Sequence, residues 1–414
     1  MFHKRNIVCA VELGTSKICA LIGEATANGG VSAVLGQGIV PSNGAVTKGE
    51  ISDMDKTVNA LNKALEEADR SSGGELVNCR LLTLLVSGCG IESRQGTGIV
   101  TVKNPDGIVT EEERDEANEN AKIIDVGVDR EIINTSTSYF LLDNRRVSNP
   151  LRQSGRRLEA CNHIIHAVSS RIANFRDAVI DAGIENVRIE PVFSPLAAGI
   201  GIVEDIEKEN GSLLIDLGAG ATEYLVYFDR GVCASGVLQI GMEHVANDLA
   251  IAFNLHIDSC RKIIEKSMLS QAVASGKTEL EFPGPGGRMR SIPVSAMEAV
   301  IDTRLREIFE LIREKLEEKK APKILGAGGI LTGGGAEYFR SKELFRDVFE
   351  LSCRIGVPAD AGGAVSDLAA PRFSALWGAL KVAAFFQQNF GPVSEGVFAR
   401  MMNRFNRVFE SVSR

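Results

Sequence analysis

Three short stretches carry residue types suited to gripping a polyphosphate. In "IVCAVELGTSKICALIGE" an apolar run delivers Glu12 to Gly14, Thr15, Ser16 and Lys17, and in "GSLLIDLGAGATEYLVYF" Asp216 precedes Gly218, Ala219, Gly220, Ala221 and Thr222. Glycine lets the backbone approach phosphate oxygens closely, main-chain N–H groups bind them, and hydroxyls add donors. The carboxylates of Glu12 and Asp216 then suit a hydrated Mg²⁺. In "KILGAGGILTGGGAEYF" Gly333, Gly334 and Gly335 follow a strand, where missing side chains would let an adenine ring lie against the backbone. Any one of these alone also reads as a tight hairpin turn. Their order and wide spacing favour one composite site.

The elements that must position these turns are legible nearby. The first two turns continue into second apolar strands, "KICALIGE" and "TEYLVYF", so each reads as a β-hairpin. That disfavours a Rossmann or P-loop site, where the glycine turn opens a helix, and no G-x-x-x-x-G-K-[ST] occurs. The repetition suggests two similar units facing each other. "DMDKTVNALNKALEEADR" has helical spacing, and "VTEEERDEANENAKIID" opens with the capping-box pair Thr110 and Glu113. "LLTLLVSGCGIESRQGTGIVTV" reads as strands, and "CNHIIHAVSSRIANFRDAVIDAGI" passes from strand to helix, ending at Gly183. Residues 243–268 and 294–320 read as two helical runs separated by a loop, "FPGPGGRMRSIP".

Composition bounds the rest. With 414 residues and a formal charge of -8, the chain reads as two or three globular domains, and acidity with no basic stripe in its body argues against nucleic acid. The eight cysteines are scattered singly without a zinc or redox spacing, so they read as reduced core residues. No apolar run approaches the roughly 18 residues of a spanning helix, and Glu12 and Lys17 interrupt any signal-peptide pattern, so a cytosolic body is expected. Residues 396–414 differ from that body. Val397, Phe398, Met401, Met402, Phe405, Val408, Phe409 and Val412 fall within an arc of roughly 140°, with Arg400, Arg404 and Arg407 opposite. Behind the Gly391-Pro392 linker this is an amphipathic helix suited to anionic membrane lipids. A helix packed on its own domain is the other reading of the same pattern.

Taken together, "VELGTSK" as phosphate-1, "LLIDLGAGATEY" as phosphate-2 and "GGILTGGGAEYF" as an adenosine motif resemble the actin-like ATPase superfamily. Within it, "GQGIVPSNGAVTKGEISD", "LLVSGCGIESRQGTGIVTV", "IGMEHVANDLAIAF" and the amphipathic helix resemble the FtsA family, in order and over essentially the whole chain. The resemblance implies an α/β, actin-like fold of four subdomains. These are 1A from 1–85 and 167–209, 1C from 86–166, 2A from 210–245 and 323–370, and 2B from 246–322. A return helix to 1A (371–388), a linker (389–396) and a membrane-targeting helix (397–414) follow.

It further implies ATP and Mg²⁺ as cofactors, filament formation with further copies, and a tether between FtsZ and the cytoplasmic face of the inner membrane at the septum, where later division proteins are recruited. "AMEAVIDTRLREIFELIREKL" resembles the helix that meets the FtsZ C-terminal peptide, with Arg304 and Glu307 as contacts. Three departures bear on chemistry. Glu12 stands where the family often has Asp. Ser194, in "VFSPLAAGIG", stands where relatives orient the attacking water, so any ATPase activity is expected to be slow. Arg261 and Ile264 align with the family's nucleoside-bracketing E-x-x-K, with Lys262 and Glu265 as substitutes one position on. A PilM-like cytosolic adaptor and a small-molecule kinase of the same superfamily are the alternatives.

Overall fold

The computed structural model describes residues 5–88, 90–283, 289–323, 325–359 and 368–390. The linker from 391 and the whole amphipathic segment, with Phe398, Arg400, Met401, Met402, Arg404, Phe405, Arg407, Val408 and Phe409, lie outside them.

The first glycine turn joins β1 (Ile7–Leu13) to β2 (Lys17–Ala25) as an antiparallel hairpin, with Glu12 opposite Cys19. Both strands are buried almost throughout, which explains their continuous apolar sequence: layers cover both faces of the sheet. β3 (Val31–Pro41) extends the meander, and β4 (Val46–Thr47) and β5 (Glu50–Ile51) form a small hairpin beyond it. α1 (Met54–Ser72) buries Leu61, Ala64, Leu65 and Ala68. Its N-cap, Asp53, accepts from the Lys56 N–H, and Gly73 closes it with φ 82°. β6 (Leu81–Val86) then runs parallel to β1.

A second sheet is inserted here. β7 (Glu92–Thr101), α2 (Glu111–Ala121), β8 (Arg130–Leu142), β9 (Arg145–Val147) and β10 (Arg157–Val168) give the strand order β7-β10-β8-β9. The Thr110–Glu113 capping box starts α2 as the sequence indicates. The chain returns through α3 (Ser169–Asp181) to β11 (Arg188–Phe193), which completes the first sheet in the order β11-β6-β1-β2-β3.

α4 (Ser194–Ile202) is buried at all nine positions, because it crosses between the units and packs along α11 (Ser374–Phe390). Only a glycine at 378 permits that approach, since a Cβ there would strike the Ala197 carbonyl. After α5 (Asp205–Asn210) come β12 (Ser212–Leu217), β13 (Thr222–Phe228) and β14 (Gly231–Leu238). With β17 (Gly328–Thr332) and β18 (Cys353–Ile355) they form a sheet ordered β14-β13-β12-β17-β18. Each large sheet is therefore an antiparallel meander of three strands followed by two parallel ones, so the duplication suggested by the turns extends to the whole topology. β12 alternates between the two cores, Leu214 into the first and Leu213, Ile215 and Leu217 into the second.

Between β14 and β17 the sequence reading needs two corrections. The run at 243–268 is not one helix: α6 (Met242–Phe253) stops at Asn254, whose φ of 47° is left-handed, and α7 (Ile257–Glu265) and α8 (Met268–Ala274) follow. The expected loop contains a hairpin, β15 (Glu279–Pro283) with β16 (Met289–Pro293), before the long α9 (Val294–Glu318). α10 (Ser341–Phe349) covers the sheet of β12 at its β17 and β18 side. The seven described cysteines are free, and no helix among the described residues is long and apolar enough to cross a membrane.

Candidate nucleotide site

The two hairpin turns and the triple-glycine turn converge on a cavity of about 400 Å³, a size suited to a nucleotide. Glu12, Gly14, Thr15, Ser16 and Lys17 line it from the first unit; Asp216, Gly218, Ala219, Gly220 and Ala221 line it from the second, with Gly333, Gly334 and Gly335. Two expected members are elsewhere. Thr222 is fully buried and donates its hydroxyl to the Ile240 carbonyl at 2.7 Å, which removes it as a phosphate donor. Lys262 does not line the cavity, because the face of α7 turned inward carries Arg261, Ile264 and Glu265. Three and four residues apart is one helix face; the next residue along points about 100° away.

The glycines behave differently. A Cβ on Gly333, at φ 80°, would strike Asp216 Oδ1, so the polypeptide itself demands glycine there. At Gly334 a Cβ would meet nothing within 4 Å, and the residue faces the cavity. No protein atom requires that glycine, which fits a wall kept bare for a flat ligand.

The carboxylates set the electrostatics. Lys17 Nζ donates to Glu12 Oε2 at 2.7 Å. Burial, reinforced by the Glu12 charge and opposed by Lys17, pushes the Asp216 carboxyl up to about 7. Burial and then Asp216 push Glu223 up to about 8, against donors from Ser87 and Gly88. A divalent cation between Glu12 and Asp216 would offset their repulsion and favour the ionised form of Asp216, so the donor set fits Mg²⁺ held through water. The linkage has a definite sign. A carboxyl raised in the folded state stabilises the ligand-free protein at acid pH, and that contribution is lost as pH rises toward the folded values of about 7 and 8. Mg²⁺ binding favours the ionised forms, so its stabilising shift in a thermal melt is expected to be larger at about pH 8.5 than at about pH 6, on either side of these transitions. An equal shift at both pH values would separate the metal from Asp216.

Arg261, Glu265 and Ser194, already singled out in the sequence, line the cavity, and Glu223, Glu243, Glu337 and Arg372 line it without having been singled out. Arg261 is clamped by Glu243, with Nε to both carboxylate oxygens at 3.1 Å and Nη2 to Oε2 at 3.0 Å, and its Nη1 reaches Asp258 at 3.1 Å. Glu265 accepts from Ser16 Oγ across the cleft at 3.2 Å. Arg372 pairs with Glu337 at 3.0 Å. Ser194, first residue of α4, lines the cavity with a hydroxyl that is too weak a base to activate water. Arg304 lies away from the cavity on α9, where Asp248 accepts from Nε at 2.6 Å and from Nη2 at 3.0 Å, and Glu307 accepts from Nη1 at 2.5 Å.

Comparison with known proteins gives this geometry a lineage. The family model described as "Cell division protein FtsA" matches residues 213–378, and the "SHS2 domain inserted in FTSA" matches residues 88–166, the inserted sheet. The chain is 30% identical over 404 residues to the cell division protein FtsA of Neisseria meningitidis, covering 96% of this chain and 94% of that protein. The chain belongs to the FtsA family. The FtsA of Escherichia coli K12 is 27% identical over 388 residues, 91% of this chain and 90% of that one. Among solved structures, a PilM-PilN type IV pilus biogenesis complex superposes with a TM-score of 0.59 at 17% identity, over 91% of this chain and 98% of that chain. MreB5 of Spiroplasma citri bound to ADP gives 0.53 at 14%, over 94% and 99%. These place the fold among actin-like proteins, and the family is one of cell division proteins.

Proposed function

We propose that this FtsA-family chain binds Mg-ATP between its two units and works as a polymerising adaptor. Residues 397–414 tether it to the cytoplasmic face of the inner membrane, α9 takes the C-terminal peptide of FtsZ, and the assembled protein recruits later division proteins to the septum. The observation that carries the reading is the convergence of both glycine hairpins, Glu12, Asp216 and bare Gly334 on one cavity. Mg²⁺ supplies charge neutralisation for the phosphates. The turns bind their oxygens, Lys17 adds a cation, and the α7 face of Arg261, Ile264 and Glu265 closes the nucleoside end. With Ser194 as the only group at its place on α4, hydrolysis is slow and ATP acts chiefly as an assembly ligand. One amphipathic helix binds lipid weakly, and a filament presenting many gives avidity.

The deciding experiment is co-sedimentation with anionic vesicles in the presence of Mg-ATP, comparing the full chain with one ending at Pro392. Only the full chain should pellet with lipid while both bind ATP; equal partitioning of the two removes the tether.

Arg304 enters the partner reading with its guanidinium already shared between Asp248 and Glu307, so an acidic peptide must compete with them. Arg304→Glu sets a third carboxylate beside that pair. It is expected to weaken FtsZ-peptide binding by about 30-fold or more, ~2 kcal/mol, in fluorescence anisotropy, leaving Mg-ATP binding unchanged. Retained peptide affinity takes this residue out of the contact.

A further inference from the structure

Glu223 is a cavity residue whose hydrogen bonds do not serve its own unit. It stands on β13 directly opposite Asp216 in the hairpin register. Its Oε1 accepts from Ser87 Oγ at 2.8 Å and from the Gly88 N–H at 3.1 Å. Those two residues are where the chain leaves β6 for the inserted SHS2 sheet. The same doorway touches both phosphate turns through the Lys48-Gly49 turn between β4 and β5. Gly88 abuts the Lys48 carbonyl, Gly49 N–H donates to Thr15 Oγ1 at 3.3 Å, and a Cβ on Gly220 would come within 2.8 Å of Lys48 Cα. The way into the SHS2 sheet is therefore built into the wall of the cavity.

Unlike forces hold the SHS2 sheet on its two sides. Toward the first unit, Ile91, Ile133, Ile165 and Ala167 share that unit's apolar core, and Asn134 Oδ1 accepts from the Phe193 N–H at 2.9 Å. Toward β14 and the end of α9 most contacts are polar, although Val232 of β14 is buried in the same apolar core as Ile133 and Ile165, and Arg146 lies over the Phe228 ring. Ser138 Oγ donates to the Val232 carbonyl at 2.6 Å, and His163 Nε2 lies 2.8 Å from Ser235 Oγ. Ser93 Oγ donates to the Ser235 carbonyl at 3.1 Å and accepts from Lys319 Nζ at 3.0 Å, and Arg146 pairs with Asp229 at 3.3 Å. Water replaces hydrogen bonds more readily than buried apolar contact, so the seam with the second unit, richer in polar contacts, is the one more able to part.

We propose that Glu223 is a positioning residue that couples occupancy of the phosphate end of the cavity to docking of the SHS2 sheet on β14. This rests on the nucleotide reading of the cavity. A ligand held by both turns locks Thr15, the Lys48-Gly49 turn and Gly220 into one stack. Glu223 then holds Ser87 and Gly88, and the polar seam closes; with the turns unbridged the doorway loosens and the seam opens. The SHS2 surface presented to other proteins thus depends on the nucleotide state.

Hydrogen–deuterium exchange on the full chain tests this, with each variant at saturating Mg-ATP and without it, and with binding followed by calorimetry. In the natural chain Mg-ATP should slow exchange several-fold in residues 90–101 and in β14. Glu223→Ala should abolish that ligand-dependent slowing in both segments. Glu223→Gln, which keeps an acceptor oxygen for Ser87 and Gly88, should restore it, a rescue that a purely structural role for the charge would not give. Ser87→Ala should reduce it, and decides the matter if the alanine variant at 223 fails to fold. Unaltered slowing in Glu223→Ala, or in Ser87→Ala in that event, overturns the coupling. Binding without any slowing in the natural chain overturns it too while leaving the nucleotide site standing. Absence of Mg-ATP binding by the natural chain defeats the site reading, and the coupling falls with it.

Discussion

Asp216→Ala should lower Mg-ATP affinity by about two orders of magnitude, ~2.7 kcal/mol, while the fold stays intact. Two carboxylates face the space between the turns, and they are not equivalent. Glu12 is already paired with Lys17 at 2.7 Å, so most of its charge is answered within the protein. Asp216 forms no salt bridge among the described residues, and burial drives its carboxyl up to about 7 although Lys17 opposes the rise, so a cation beside it would be favoured. Removing it leaves the metal with a neutralised carboxylate and leaves the phosphates without their metal. The ligand-free protein should not suffer, because the variant sheds a buried group whose ionisation costs stability above neutral pH; its melting temperature at pH 8.5 should equal or exceed that of the natural chain by about the linkage of one carboxyl. Unchanged affinity in calorimetry would mean that the turns do not form an actin-type site.

The second large effect concerns the amphipathic segment. As a helix this segment would set Phe398, Phe405 and Phe409 on one apolar arc, and burying a phenylalanine is worth about 1.5 to 3 kcal/mol, whereas each arginine near an anionic surface adds about 1 kcal/mol. The aromatic face should dominate. Phe405→Glu both removes that burial and sets a charge at the centre of the face, so vesicle binding should fall by about 100-fold even at low salt. Arg404→Ala should only raise the fraction of anionic lipid required and sharpen the salt dependence. If Phe405→Glu instead unfolds the protein, or if the chain ending at Pro392 does, the segment is part of the core and the tether reading fails.

Some of this molecule can be read residue by residue, and the reason is locality. A glycine turn between two apolar runs is decided by neighbours three to five positions apart, so both glycine hairpins, the capping box at Thr110 and the helix ending at Gly183 are visible in the string itself. The recurrence of the first hairpin in the second suggested two facing units, and the matching strand orders extend that repetition to both sheets. Helix breaks set by one residue were harder. Asn254 is an unremarkable letter until its φ of 47° ends α6, and an apolar period carried the reading straight through it.

What remained illegible was decided at long range. Thr222 looks like a phosphate donor until the sheet brings the Ile240 carbonyl to its hydroxyl. Which side of α7 faces the cavity depends on how that helix docks, and docking turned Arg261, Ile264 and Glu265 inward and not Lys262. The pair Glu223 and Ser87 lies 136 positions apart in the chain, and nothing in either neighbourhood announces the other. A sequence specifies its turns through backbone dihedrals that adjacent residues constrain. Partnerships between side chains on different units follow only once burial of both cores has set the units against each other. The glycine turns and their carboxylates were therefore determined locally, and the link from the cavity to the SHS2 sheet by the packing of β6, β13 and β14.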